Sequence, residues 1–269
     1  MTLNSYGSLC DDFYIDMYIN TELDLPSERD TILAFFERLQ KQYPTMSRFY
    51  RRANNEYCLE EDSSIAQHRW VTLEIDRVGS GVVNPSDFES AYGQDRLVLE
   101  LAPYMLGVSH LDVDSLDVTF AMDFDYVGNQ DEVIAEALFA SSAFNCLLDL
   151  PFARDSAPST RLGTSLREPR PIVFSPAMVV ALTDDDCTQA RISVESKTSV
   201  YMPRKKRQSP GEAISLSFTI RQYPQAGERF DALKSFEFQC RLAEELMAEK
   251  IVPNFVQPLI ETIAQKRLT

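Results

Sequence analysis

Apolar and polar residues alternate along two segments of the chain, and this period of two predicts strands with one buried face and one wet face. The first segment covers residues 12–20 and the second covers residues 116–125. When Asp12 is laid on Asp117, apolar residues of one segment fall opposite apolar residues of the other throughout. The match indicates that one strand motif occurs twice.

A helical pattern follows each of the two strands. Residues 26–30 form a helix cap, and the apolar positions after them recur on one helical face. These positions are Ile32, Phe35, Phe36 and Leu39. After the second strand, Asn129 and Glu132 have the spacing of a capping box, and we expect a helix from Val133 through Leu147.

The rest of the first half reads as two strands and a helix. Residues 57–61 and 69–78 have strand character, and the second of these strands is expected to bury Ile75 together with Val71 and Leu73. Residues 84–87 then open a helix that runs towards Met105. Pro85 suits its first position, where a missing N–H is tolerated.

The second half continues in the same way. Residues 172–182, 190–196 and 214–221 read as strands, and the last of them alternates strictly. A long helical stretch from Asp231 to about Lys266 follows, with a break or kink expected near Pro253 and Pro258.

Each half therefore reads β-α-β-β-(β)-α, and the boundary between 1–108 and 109–269 falls in a short connection. Successive strands favour antiparallel hairpins, so helices must cover one face of the sheet. We predict an α+β fold made of two related halves that share one sheet or form one continuous duplicated domain. The alternative is that two amphipathic strands followed by helices resemble each other by chance.

This order of elements resembles a sporadically distributed bacterial family of uncharacterised proteins of about this length. The resemblance spans the chain in pattern, and no distinctive motif carries it. It implies a bacterial or phage origin, and it implies no activity or catalytic residue.

Composition narrows the classes of function. A net charge of −15 disfavours general binding to nucleic acid and favours basic partners. Five cysteines without a CxxC spacing are typical of reduced thiols, and the beginning of the chain has no secretory pattern, so we expect a cytoplasmic protein that does not enter a membrane. With nine glycines, no phosphate-binding loop or nucleophile elbow is present, and no cofactor is predicted.

Carboxylates on one strand are the candidates for chemistry. Asp123 and Asp125 lie two residues apart, and Asp117 shares their face, so they could bind a divalent cation or perform acid–base catalysis. A solvated strand face explains the same residues, and we assign no metal site. The three aspartates at 184–186 are interpreted as turn residues.

Two basic segments are candidates for binding an anion or a partner. Arg204, Lys205, Lys206 and Arg207 form one segment, expected in an exposed loop. Arg48, Arg51 and Arg52, interleaved with aromatic residues, form the other, for which we favour an amphipathic helix with Phe49 and Met46 turned inward. Solvated loops and faces are the alternative for both segments.

We favour a binding or assembly protein that takes a protein or peptide partner and forms a homo-oligomer. Its ligand surface is predicted to be an apolar groove with exposed aromatic residues. The candidates are Tyr14, Tyr18, Trp70 and Tyr201. The alternatives are a metal-dependent enzyme that uses the strand carboxylates and a binder of nucleic acid or another anionic ligand that uses the basic segments.

Overall fold

A computed structural model describes residues 6–53, 55–143, 175–196 and 213–268 of the protein. Within these residues nine strands form one antiparallel sheet. The fold is therefore α+β, with helices covering one face of the sheet. No helix among the described residues is both long enough and apolar enough to span a bilayer.

The first half contributes five strands and two helices. In chain order they are β1 (Asp12–Thr21), α1 (Arg29–Gln42), β2 (Arg48–Arg51), β3 (Tyr57–Glu60), β4 (His68–Leu73), β5 (Arg77–Val83) and α2 (Phe88–Met105). Alternate residues of β1 are buried, as its period of two predicts. The four predicted apolar residues of α1 are all buried as well.

The second half contributes the remaining elements. They are β6 (Val113–Asp125), α3 (Gln130–Phe139), β7 (Ala177–Ala181), β8 (Thr188–Ser196), β9 (Ala213–Gln222), α4 (Ala232–Leu246), a π-helical segment (Met247–Val256) and α5 (Gln257–Leu268). The Asn129 side chain accepts a hydrogen bond from the Glu132 N–H, as the capping-box spacing predicts. The prediction that this helix continues to Leu147 is wrong, because the helix ends at Phe139 and residues 140–143 are not helical.

The two amphipathic strands lie side by side at the centre of the sheet. The strand order is β2-β3-β4-β5-β1-β6-β9-β8-β7. In the register of β1 with β6, Ile15 lies opposite Phe120. These two residues are also equivalent in the alignment that lays Asp12 on Asp117, so the central pair has an approximate two-fold symmetry. Such symmetry does not by itself show that one half arose by copying the other, so the internal duplication stays a prediction. The domain boundaries also stay a prediction.

The single strand predicted over residues 69–78 is wrong. A turn at residues 74–76 divides the segment, and β5 begins at Arg77. Ile75 lies in this turn and is exposed rather than buried. The glycines of β5 lowered its strand signal, since glycine is depleted in strands.

The predicted start of the next helix is also wrong. Asn84 follows β5 with a φ of 47°, and Pro85 lies before the helix instead of at its first position. Asp87 is the N-cap, and its side chain accepts from the Ser90 N–H. The Asn84 carboxamide bonds the Phe13 N–H and the Asp12 carboxylate, which explains why this turn is held by asparagine.

The favoured helix around Arg48 is wrong too. Residues 48–51 form the edge strand β2, which pairs with β3. Met46 is buried as expected, whereas Phe49 is partly exposed and lies against the ring of Phe36. Tertiary pairing with β3 has outweighed the local helical pattern.

The C-terminal helical stretch continues past Pro253 through a π-helical segment. Proline has no N–H to donate, and the wider π turn accommodates it inside the helix. The Gln257 N–H accordingly donates to the Val252 carbonyl, five residues back. The predicted break is absent, since the helical elements follow one another without interruption from Ala232 to Leu268, and a change of helical pitch surrounds Pro253 instead.

Candidate functional site

The face of the sheet turned away from the helices carries a polar and aromatic surface. On β1, Tyr14, Asp16 and Tyr18 point to this face, because they alternate with the buried residues of the same strand. The neighbouring β5 places Gly81 opposite Asp16 and Gly79 opposite Tyr18. The side chains of β1 therefore lie beside a strand that has none of its own at these two positions.

The two glycines create space that other side chains fill from both sides. A Cβ atom at Gly81 would meet the Asp16 carboxylate and the Trp70 ring, the latter at 2.6 Å. A Cβ atom at Gly79 would meet the Tyr18 ring at 2.6 Å and the Thr72 hydroxyl at 2.7 Å. Side chains from β1 and β4 can thus meet above the backbone of β5. Only glycine leaves room for this contact, because any Cβ atom on β5 would occupy the same space.

The result is a cleft of about 460 Å³ on the open face. Four carboxylates, two guanidinium groups and three aromatic rings contribute to its walls. The lining residues are Tyr14, Asp16, Tyr18, Arg52, Glu56, Glu60, His68, Trp70, Thr72, Glu74, Arg77 and Val83. We refer to this site as the open-face cleft.

Asp16 is the most unusual group in the cleft. Its Oδ1 atom is buried and has no hydrogen-bond partner among the described residues. Burial, together with the charge of Asp123, raises the pKa of Asp16 to about 7. A buried carboxylate oxygen without a donor is costly, so the arrangement favours a ligand that donates to it.

The two arginines of the cleft already have carboxylate partners. Arg52 bonds Glu56 at 2.8 Å, and Arg77 bonds Glu74 at 2.6 Å. The Arg77 guanidinium also lies 4.8 Å from the centre of the Tyr18 ring. Glu60 also has a partner, since it lies 3.8 Å from Arg48 outside the cleft. Four carboxylates against two guanidinium groups nevertheless make the lining of the cleft acidic overall.

Two aromatic rings form a wall next to Asp16. The centres of the Tyr18 and Trp70 rings are 5.9 Å apart, with an angle of 43° between their planes. Among the described contacts, no cation lies over the Trp70 ring. An indole face beside a carboxylate is a favourable environment for a ligand cation.

Side chains of α2 support the cleft from below. The Gln94 carboxamide is fully buried and donates to the carbonyl oxygens of Trp70 and Gly81. The Arg69 guanidinium bonds the Gln94 oxygen and the Ser90 hydroxyl. These bonds hold β4 and β5 on the helix, and they orient Trp70 and the glycine strand relative to Asp16.

Two further aspartates lie beyond the cleft, half-buried Asp12 on β1 and buried Asp123 on β6. Asp12 lies opposite Asp123 in the sheet, and the Tyr14 hydroxyl donates to the Asp123 carboxylate at 2.9 Å. Burial and the charge of Asp123 together raise the pKa of Tyr14 above its ordinary value. Of these two carboxylates, only Asp12 is exposed enough to meet a basic segment that crosses the cleft.

The structure brings three of the four predicted groove residues together. Tyr14, Tyr18 and Trp70 line the open-face cleft, and they are half-buried rather than exposed. Their surroundings include four carboxylates, so the groove is polar and aromatic rather than apolar. Tyr201 lies outside the described residues.

The strand carboxylates proposed for metal chemistry lie in three different environments. Asp117 is buried and bonds the Arg221 guanidinium, with Nε 2.6 Å from Oδ1. Asp123 is buried beside Tyr14, whereas Asp125 is exposed at the end of β6. Within the described residues, no group of three or more metal-ligating side chains is placed to hold an ion.

The basic segment at residues 48–52 lies in the described residues, and most of its arginines pair with acidic side chains. Arg48 lies 3.8 Å from Glu60 and 3.6 Å from Asp62, while Arg51 lies over the Tyr57 ring. Paired cations offer little to a phosphate, so this edge gives no support to binding of nucleic acid. Arg204, Lys205, Lys206 and Arg207 lie outside the described residues.

The residues that sequence reasoning missed are Asp16, Gly79 and Gly81. The available signal was the pair of glycines at alternate positions of one segment, which marks a close approach of other side chains in a strand. Recognising it required that residues 77–83 be assigned to a strand of their own.

Comparisons with known proteins add no identification. No model of a protein family matches the chain, and neither a curated protein nor a solved structure matches it. The resemblance to a bacterial family stays a prediction.

Proposed function

We propose that this protein is a binding protein whose open-face cleft takes a basic segment of a protein partner. One arginine or lysine side chain of the partner would enter the cleft beside Asp16. The observation that carries this proposal is the buried Asp16 oxygen that has no donor among the described residues, within an acidic and aromatic cleft.

The chemistry of the cleft matches a cation in two ways. A guanidinium or ammonium group would donate to Asp16 in a charge-assisted hydrogen bond, which is about twice as strong as a neutral one. The same group would lie against the Trp70 ring and gain a cation–π interaction. Neutral or anionic ligands would satisfy neither partner as well.

The charge of the whole chain supports the same kind of partner. A net charge of −15 attracts basic proteins and speeds their association. Asp12 is half-buried on the same face of β1 as Asp16, so a segment with several basic residues would find a second carboxylate next to the cleft.

The chain offers a direct test, because Trp70 is its only tryptophan and lines the cleft. We would titrate the protein with short capped peptides that differ only in a central arginine, lysine or glutamine, and record tryptophan fluorescence. The arginine and lysine peptides are expected to change the emission, with an affinity that falls as salt is added. The glutamine peptide is expected to have no effect.

Asp16→Asn is the decisive variant, since it keeps the shape of the side chain and removes the charge. Asp184→Asn is the matched control, because Asp184 is an exposed residue of the turn between β7 and β8. An affinity about tenfold weaker in Asp16→Asn alone would support the proposal. Equal affinities in the two variants, or no response to any basic peptide, would refute it.

A further inference from the structure

The two edges of the sheet differ in charge. At one edge, β2 carries Arg48 and Arg51, and charged edge strands resist pairing with other chains. At the other edge, β7 has the sequence Ala-Met-Val-Val-Ala and carries no charge. All five of its residues are exposed, including Val179 at 54% and Met178 at 53%.

Among the described strands, β7 pairs on one side only, so its other backbone side has no strand partner there. The Leu182 N–H donates to Thr188, and Pro176 accepts from the Val194 N–H, so the even-numbered positions of this segment face β8. Because these directions alternate along an antiparallel strand, the N–H and C=O groups of Ala177, Val179 and Ala181 point to the free edge.

We propose that this edge pairs with the same edge of a second copy of the chain, β7 to β7, in an antiparallel arrangement with Val179 on the two-fold axis. Each Val179 would then exchange both of its backbone hydrogen bonds with its counterpart, and Ala177 would exchange bonds with Ala181 of the other copy. The nine-stranded sheet would continue across the interface.

Self-pairing fits this edge because its outward groups are centred on Val179 and are self-complementary under a two-fold axis, as a symmetric dimer requires. The charge of −15 on each copy opposes association over most of the surface. Since β7 itself carries no charge, this edge is a place where two copies can approach with little repulsion between facing residues.

The apolar surface of this edge extends beyond the backbone. Met178 of β7 and Ile192 of β8 belong to the lining of a cavity of about 620 Å³ on the helix side of the sheet. Pairing would therefore remove apolar side chains from water in addition to satisfying the backbone groups.

Analytical ultracentrifugation over low to high micromolar concentrations tests the proposal. The wild-type protein is expected to form a reversible dimer. Val179→Pro removes the outward N–H and leaves the bonds to β8 intact, so it should raise the dimer dissociation constant at least about tenfold. Arg51→Pro is the matched control, because the Arg51 N–H points to the opposite free edge, and it should leave the dimer unchanged.

Circular dichroism at low concentration would show that Val179→Pro is folded, and Val179→Lys offers a second variant that keeps the N–H and adds charge at the axis. Hydrogen exchange identifies the surface itself. The Val179 and Ala181 amides should exchange slowly in the dimer, whereas the Arg51 amide should exchange fast. A wild-type monomer at all concentrations, or a dimer with a fast-exchanging Val179 amide, would overturn the proposal.

Discussion

The two halves of the sheet have a similar order of elements, with five described strands in the first and four in the second, and they differ at the positions that make the cleft. Asp16 on β1 lies opposite Gly81, while the equivalent residue of β6, Ala121, lies opposite Ser217. In the first half, the Asp16 carboxylate therefore lies next to a position that has no side chain. In the second half, two small side chains lie next to each other. Topology alone does not create the cleft. The identity of these paired residues does.

The helix layers repeat this contrast. Gln94 of α2 and Gln239 of α4 are both fully buried, and each donates to a backbone carbonyl of the sheet. The residue after each glutamine differs, since Asp95 follows the first and Cys240 follows the second. Burial raises the pKa of both groups. The first half thus has buried carboxylates on both sides of its sheet, Asp16 and Asp95, and the charge of Asp16 raises the pKa of Asp95 further.

Filling the glycine strand should have the largest effect. Gly81→Val introduces side-chain atoms where the Trp70 ring and the Asp16 carboxylate lie, and overpacking of this kind costs about 3 kcal/mol of unfolding free energy. Ser217→Val adds the same side chain at the equivalent position of the second half, and it should cost less than about 1 kcal/mol. Urea unfolding of both variants would measure the difference. Equal losses would show that the close approach at Gly81 is unimportant.

Removing the buried carboxylate of the helix layer should change how stability depends on pH. An unfolded aspartate ionises near pH 3.9, whereas Asp95 keeps its proton in the folded state to a higher pH. Stability is therefore full below about pH 4 and falls by about 1.4 kcal/mol per pH unit until the pH passes the raised pKa. Burial and Asp16 raise this pKa, while Ser80, Arg69 and Arg96 act in the opposite direction.

Asp95→Asn is expected to lack this part of the pH dependence, so its stability relative to the wild type should rise as the pH rises above about 4. Denaturant unfolding at a series of pH values would measure it, with Asp184→Asn as the control for a charge removed from the surface. Parallel curves for the wild type and Asp95→Asn would contradict the prediction.

The smallest effect concerns binding. A cation requires the ionised form of Asp16, whose pKa is raised to about 7, so the affinity for an arginine peptide should rise with pH through this value. Asp123 from β6 contributes to the raised pKa, and His68, Arg77 and Glu60 are other charged or titratable groups of the cleft. Asp16→Asn should weaken binding about tenfold, which corresponds to about 1.4 kcal/mol, and should flatten this pH profile. Fluorescence titration at several pH values measures both effects, and a profile unchanged by the substitution would contradict the prediction.

Much of the architecture could be predicted from local patterns. The alternation in β1 and β9 and the apolar face of α1 are strong periodic signals, and each appears in the structure as expected. The strand β6 also forms, but its predicted wet face is wrong, because Asp117, Ala121 and Asp123 are buried. The prediction failed at β2 and β5, where arginines and glycines weaken the local pattern and pairing with neighbouring strands decides the outcome.

The cleft itself was only partly visible in the sequence. The alternation of β1 placed Tyr14 and Tyr18 on one face, and Trp70 was a candidate as an aromatic residue expected to be exposed. Nothing local indicated that Trp70 would lie beside Asp16, because this depends on β5 entering between β4 and β1. The charge of the cleft was missed for the same reason, since its carboxylates come from separate strands.

By itself, the sequence determined the α+β class, the two amphipathic strands and the acidic character of the chain. Periodicity is a property of a short segment, and net charge is the sum of the residue charges, so neither depends on the tertiary structure. Only the tertiary structure decided the strand order, the cleft at Asp16 and the contrast between the charged edge β2 and the uncharged edge β7. Each of these depends on which distant segments become neighbours. That choice follows from burial and hydrogen bonding across the whole sheet, which no single segment encodes.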